Sequence, residues 1–128
     1  MESHSLILNH EKYKLPLQII ELKNSFFVYI GNGSLKMENL ILGFSCGGSS
    51  SNEPNSYKDC SYSTSILNEV DSTIGRDISE RLSFEFKMPF YVSMNIEDGF
   101  LNFELRILLE NSIKKFIHGI ISKRENSK

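Results

Sequence analysis

The string in this sequence best suited to covalent chemistry is Gly43-Phe44-Ser45-Cys46-Gly47, which fits the G-x-S-x-G pattern of a nucleophile elbow and follows a stretch with strand character. An elbow must turn from its strand directly into a helix, so that the serine is held exposed. Here the chain runs on into Gly48-Ser49-Ser50-Ser51-Asn52-Glu53-Pro54, which has no helical pattern. A triad also needs an acid and then a histidine, and the one histidine downstream is His118, in a stretch whose inner face is Ile113, Phe116, Ile117 and Ile120. A minimal serine hydrolase using Ser45 is therefore a remote alternative, and no catalytic residue is expected. Cys46 with His118 is a second nucleophile candidate, but a cysteine in a Gly/Ser-rich stretch is usually an ordinary thiol.

Other chemistry fares no better. His4, His10 and His118 are far apart, and no pair of His, Cys or carboxylate residues has zinc-ligand spacing, so no metal is expected. Gly31-Asn32-Gly33-Ser34 has neither a following helix nor a Walker lysine and reads as a hairpin turn, so no nucleotide or other cofactor is expected. Asn32-Gly33-Ser34 also matches a glycosylation acceptor. Met1-Glu2-Ser3-His4 does not look like a secretory leader, so that match reads as chance. The same start makes Cys46 and Cys60, which could in principle pair, read as free thiols in a reducing compartment. No apolar run approaches the ~20 residues of a membrane span. A formal charge of −2 provides no field for a phosphate backbone. The expectation is a cytoplasmic protein, with the nucleus left open, that binds neither nucleic acid nor membrane.

The elements that would position any site alternate between short strands and amphipathic helices. Ser5 to Leu8, Pro16 to Leu22, Ser25 to Ile30 and Asn39 to Phe44 read as a four-stranded antiparallel meander. Residues 45–61 are rich in Gly, Ser and Asn with hardly an apolar side chain, so a flexible polar insertion is expected there. Tyr62 to Leu67 reads as a fifth strand. Ile74, Ile78, Leu82 and Phe86 then recur every four residues, predicting a helix that Pro89 ends. Phe90 to Ile96 and Leu101 to Ile107, joined through Asp98-Gly99, read as a hairpin, although the second stretch also admits a helix. Leu109, Ile113, Phe116, Ile117 and Ile120 predict a second helix, with a frayed tail after residue 122. Together these patterns predict one α+β domain over residues 1–128: a mainly antiparallel sheet of about six or seven strands with two amphipathic helices packed on it.

Phe26-Phe27-Val28-Tyr29-Ile30 lacks alternation, so either both faces of that strand are covered within the domain or one meets a partner. Several strings then fall in the order of a known family. Phe26 to Gly31 with Asn39-Leu40, Ser63-Thr64-Ser65-Ile66-Leu67, and Arg81-Leu82 with Tyr91-Val92-Ser93-Met94-Asn95-Ile96 resemble the proteasome assembly chaperone 4 family. So does Phe103 to Ile107 followed by Leu108-Leu109-Glu110-Asn111-Ser112-Ile113-Lys114. The resemblance spans about Ile20 to Lys114, and departs from the family in the longer, more polar 45–61 segment and a slightly longer helix between Gly75 and Pro89. It implies a non-enzymatic chaperone that pairs with proteasome assembly chaperone 3 and promotes assembly of the α-subunit ring of the 20S proteasome, gripping α subunits. Some proteasome-docking factors use a hydrophobic-Tyr-any tail; the ending Glu125-Asn126-Ser127-Lys128 does not supply one. Aromatic residues on strands are the natural contact candidates, here Phe26, Tyr29, Phe90 and Tyr91. Without its partner, such a chain is expected to be capable of pairing with itself. A generic small α+β adaptor is the alternative.

Overall fold

The computed structural model describes residues 2–10, 13–31, 37, 39–46, 60–68, 72–96 and 101–126. Along the chain these form β1 (Ser3–His10), β2 (Tyr13–Leu22), β3 (Ser25–Ile30), β4 (Asn39–Cys46), β5 (Cys60–Asn68), α1 (Thr73–Phe86), β6 (Phe90–Met94) and α2 (Phe103–Asn126). The strands make one sheet in the order β1-β2-β3-β6-β4-β5, mostly antiparallel, so the α+β class holds. The expected meander is real only for β1, β2 and β3. β6 enters between β3 and β4, parallel to β3 with Val28 opposite Val92 and antiparallel to β4 with Ile41 opposite Val92.

Both helices lie on one face of this sheet, over a core drawn from alternate strand residues: Leu15, Leu17 and Ile19 from β2, Phe26, Val28 and Ile30 from β3, Phe90, Val92 and Met94 from β6. Helix α1 starts where Ser72 is extended and its Oγ accepts the Gly75 amide at 2.9 Å. It stops where Lys87 takes a left-handed conformation (φ 56°), its amide donating to the Ser83 carbonyl, two residues before Pro89. The expected stripe of Ile74, Ile78 and Leu82 is buried, and so is a second stripe of small residues, Gly75, Ser79 and Ser83. Small side chains let α1 approach the sheet closely: a Cβ on Gly75 would lie 3.0 Å from Ile41 and 3.1 Å from Met94.

Helix α2 begins earlier than the expected hairpin allowed. Asn102 Oδ1 accepts the Leu105 amide at 2.8 Å, and the helix buries Leu105, Leu109, Ile113, Ile117 and Ile120. Residues 103–107 are therefore helical and the hairpin is corrected: Phe103 and Ile107 are 75% and 45% exposed, on the outer side of the helix. Asp98-Gly99 and Gly31-Asn32-Gly33-Ser34 lie wholly or largely outside the described residues, as does 47–59 of the polar segment. The flanks of that segment are strand, since β4 runs to Cys46 and β5 starts at Cys60. At its far end α2 continues to Asn126, past the expected fraying point.

The helices run side by side and parallel, as their ion pairs show: Asp77 with Arg106, Glu110 with Arg81, and Glu85 with Lys114 and His118. At the β1 edge, Glu21 joins three elements. Its Oε2 is 2.6 Å from His4 Nε2 on β1, and its Oε1 accepts from Arg124 Nη2 of α2 at 2.7 Å. Below this link lies a groove of about 740 Å³ between β1 and α2, with Leu6, Leu8, Leu17, Phe116 and Ile120 in its lining.

Candidate functional site

An antiparallel sheet can bury one face and leave the other open, and then its outward residues are normally polar. The outward residues here are not. Register links Ile20 to Phe27, Phe27 to Tyr91, Tyr91 to Leu42 and Leu42 to Thr64, which makes one row across β2, β3, β6, β4 and β5 on the face away from the helices. A neighbouring row places Gln18, Tyr29 and Ser93 side by side. Toward the β5 edge, Phe44 and Tyr62 face each other with ring centroids 6.0 Å apart, and both rings are exposed. A register shift after Leu40 leaves Ile66 without a cross-strand partner, 55% exposed.

Charge is what this surface lacks. The segments SFFVYI, NLILGFSC, CSYSTSILN and FYVSM of β3, β4, β5 and β6 contain no Asp, Glu, Lys or Arg. β5 is an edge strand, where a lysine or similar gatekeeper normally discourages further pairing. Four adjoining strands with an apolar, uncharged outer face have the composition of an interface centre, depleted in charge and rich in aromatics.

Tyr29 and Tyr91 stand on this open face, half-buried. Phe26 and Phe90 do not. Each is fully buried on the helix side, the two rings stacked 5.5 Å apart, with Arg124 over the Phe26 ring at 5.2 Å. Neither can meet a partner while the core is closed. Phe27 and Leu42, which complete the row with Tyr91, were missed. The signal for Phe27 was its parity: residues 26 and 29 of one strand point to opposite faces, as do 90 and 91.

The remaining chemical candidates are dispersed. Ser45 sits within β4 opposite Ser61, so the strand continues where an elbow would turn. Gly43 serves packing: a Cβ there would run into the Ser79 carbonyl of α1 and lie 2.8 Å from the Ser79 Cβ. His118 is held by Glu85 at 2.7 Å and lies beside the Phe86 ring. Glu2, His4 and Glu21 bring possible ligand atoms within 4.8 Å of one another, a grouping invisible in their sequence spacing. The Arg124 guanidinium on Glu21 already neutralises that carboxylate, so the group is an ion-pair junction. Burial alone would raise the Glu21 pKa, but the hydrogen bonds from His4 and Arg124 outweigh it and hold the carboxyl below its ordinary range. No described helix is long and apolar enough to cross a membrane.

No curated protein matches the sequence. Among solved structures, the chain is similar to one from a chaperone complex for yeast 20S proteasome assembly, with 16% identity and a TM-score of 0.58, covering 90% of this chain and 98% of that one. That likeness concerns the fold. The family model for Proteasome assembly chaperone 4 matches residues 14–96, the span from β2 through β6 that builds the open face. By that match over more than half of its length, the chain belongs to the proteasome assembly chaperone 4 family.

Proposed function

We propose that this protein is a non-enzymatic chaperone of 20S proteasome assembly that pairs with proteasome assembly chaperone 3 through the open face of its sheet, the pair promoting formation of the α-subunit ring in the cytoplasm. The observation that carries this reading is the uncharged outer face of β3, β6, β4 and β5, in a chain of an assembly-chaperone family. The similar yeast chain comes from a chaperone complex, which supports a partner chaperone as the occupant. Covering an apolar row with a second sheet supplies the hydrophobic gain, while polar Gln18, Ser3 and Ser5 toward β1 provide a rim from which a partner can separate. Made alone, the chain is expected to pair with a second copy through the same face.

The test is affinity capture of the chain from its own cell extract, with mass spectrometry of the retained proteins. A second small chaperone together with α subunits, and few mature β subunits, is the expected result. Retention of neither would overturn the assembly role, and retention of an unrelated complex would favour a generic adaptor.

A further inference from the structure

The chain has two cysteines, 14 positions apart in sequence, and the fold sets them opposite each other: Cys46, the last residue of β4, is the register partner of Cys60, the first of β5. Directly opposed residues of an antiparallel pair have Cα separations of about 4.5 or 5.5 Å, depending on the type of pair. Both values fall inside the roughly 4.4–6.8 Å Cα window of disulfides, and the closer, non-hydrogen-bonded type also approaches the roughly 3.5–4.5 Å Cβ separation the bond needs.

We propose that Cys46 and Cys60 form a redox-active dithiol which a disulfide oxidant such as glutathione disulfide converts into a cross-strand disulfide at the end of the β4–β5 hairpin. One thiolate attacks the oxidant, forming a protein–glutathione mixed disulfide and releasing one glutathione thiolate. The second cysteine then attacks the protein sulfur, the intramolecular S–S bond forms and a second glutathione leaves. The two protons given up by the cysteines end on the two glutathione thiols, and two electrons pass from the protein to the oxidant. The expectation of free thiols thus describes the reduced form of a pair with two states. This proposal is independent of any partner.

The closed bond belongs to the native register, so the folded chain must favour it over the unfolded chain by the same factor by which the bond stabilises the fold. The full-length protein, purified reduced, is equilibrated with mixtures of reduced and oxidised glutathione, folded or in guanidinium, then quenched, alkylated and weighed intact. The expected product is a species two hydrogens lighter that accepts no alkyl group. It should form at an oxidant-to-reductant ratio at least about tenfold lower folded than unfolded, equivalent to about 1.4 kcal/mol of added stability. Cys46→Ser and Cys60→Ser should each give only the mixed glutathione disulfide. A preference below tenfold, two mixed disulfides on the parent chain, or disulfide-linked dimers as the main product would overturn the proposal.

Discussion

The Asn39 side chain grips the backbone of Met94 from both sides. Its Nδ2 donates to the Met94 carbonyl at 2.7 Å, and its Oδ1 accepts the Met94 amide at 2.8 Å. The β4–β6 pairing is in register at Ile41 and Val92, and two residues further along a carboxamide stands in for the next rung of the ladder. Ser93 Oγ donates to the Asn39 carbonyl at 2.8 Å and accepts from Asn95 Nδ2 at 2.8 Å. All three residues are buried, so β6 is fastened between β3 and β4 by a polar network with little access to water.

Replacing Asn39 with Leu removes both contacts and leaves the Met94 amide and carbonyl without their partner. Each unsatisfied buried group costs about 1–3 kcal/mol, so a loss of about 2–4 kcal/mol is expected by chemical denaturation. A loss below about 1 kcal/mol would show that other groups or water take over both roles.

Neighbouring aromatics on β6 should separate folding from pairing. Phe90→Ala opens the core and should lower stability by about 3–5 kcal/mol. Tyr91→Ala, and likewise Tyr29→Ala, should leave a cooperative fold while weakening complex formation at least about tenfold, read by titration calorimetry with the partner chaperone. Unchanged affinity for Tyr91→Ala would move the interface elsewhere.

Gly43→Ala places a methyl group against the Ser79 backbone of α1, which cannot swing aside as a side chain would. Overpacking of this kind costs about 1–3 kcal/mol, with the upper end expected because the obstacle is a helix backbone. Thermal and denaturant unfolding measure it, and a neutral outcome would mean that α1 slides without penalty.

Acid should loosen the molecule through two carboxylates. The hydrogen bond from His118 lowers the Glu85 pKa, burial works against it and Lys114 adds to the lowering; Glu21 is also lowered. A depressed carboxylate stabilises the fold above its unfolded pKa, near 4.5, and that contribution fades as pH falls through the lower folded value. The expected outcome is a steeper loss of stability below about pH 4.5 in the parent than in the Glu21→Gln, Glu85→Gln double variant. Parallel acid profiles would show that these junctions are not linked to folding.

At the start of α2, Asn102→Ala removes the acceptor for the Leu105 amide and should lower stability by about 1 kcal/mol, as loss of an N-cap does. A shift under about 0.3 kcal/mol would mean that solvent replaces the cap.

The onset of α2 shows where local pattern misleads. Leu101, Phe103, Leu105 and Ile107 alternate as a strand would, yet Leu105, Leu109, Ile113 and Ile117 also repeat every four residues, and burial chose the second pattern. Asn102 was the available signal, a capping residue just ahead of the periodic run. Choosing Phe26 with Tyr29, and Phe90 with Tyr91, selected one residue for each face, because aromatic identity says nothing about which side of a strand is covered.

What the sequence by itself determined is local: the period-two strands, the four-residue stripe of α1 between Ser72 and Pro89, the family strings, and four strands without a charge. Those features depend on residues a few positions apart, whose mutual geometry the backbone dictates. Only the tertiary structure decided that β6 divides β3 from β4, that both helices take one face and leave Phe27, Tyr91 and Leu42 on the other, that Asn39 completes the ladder, and that Cys46 and Cys60 are register partners. Strands with similar apolar patterns can pair in many orders, and the choice among them is made by non-local packing of the helices over one face of the finished sheet.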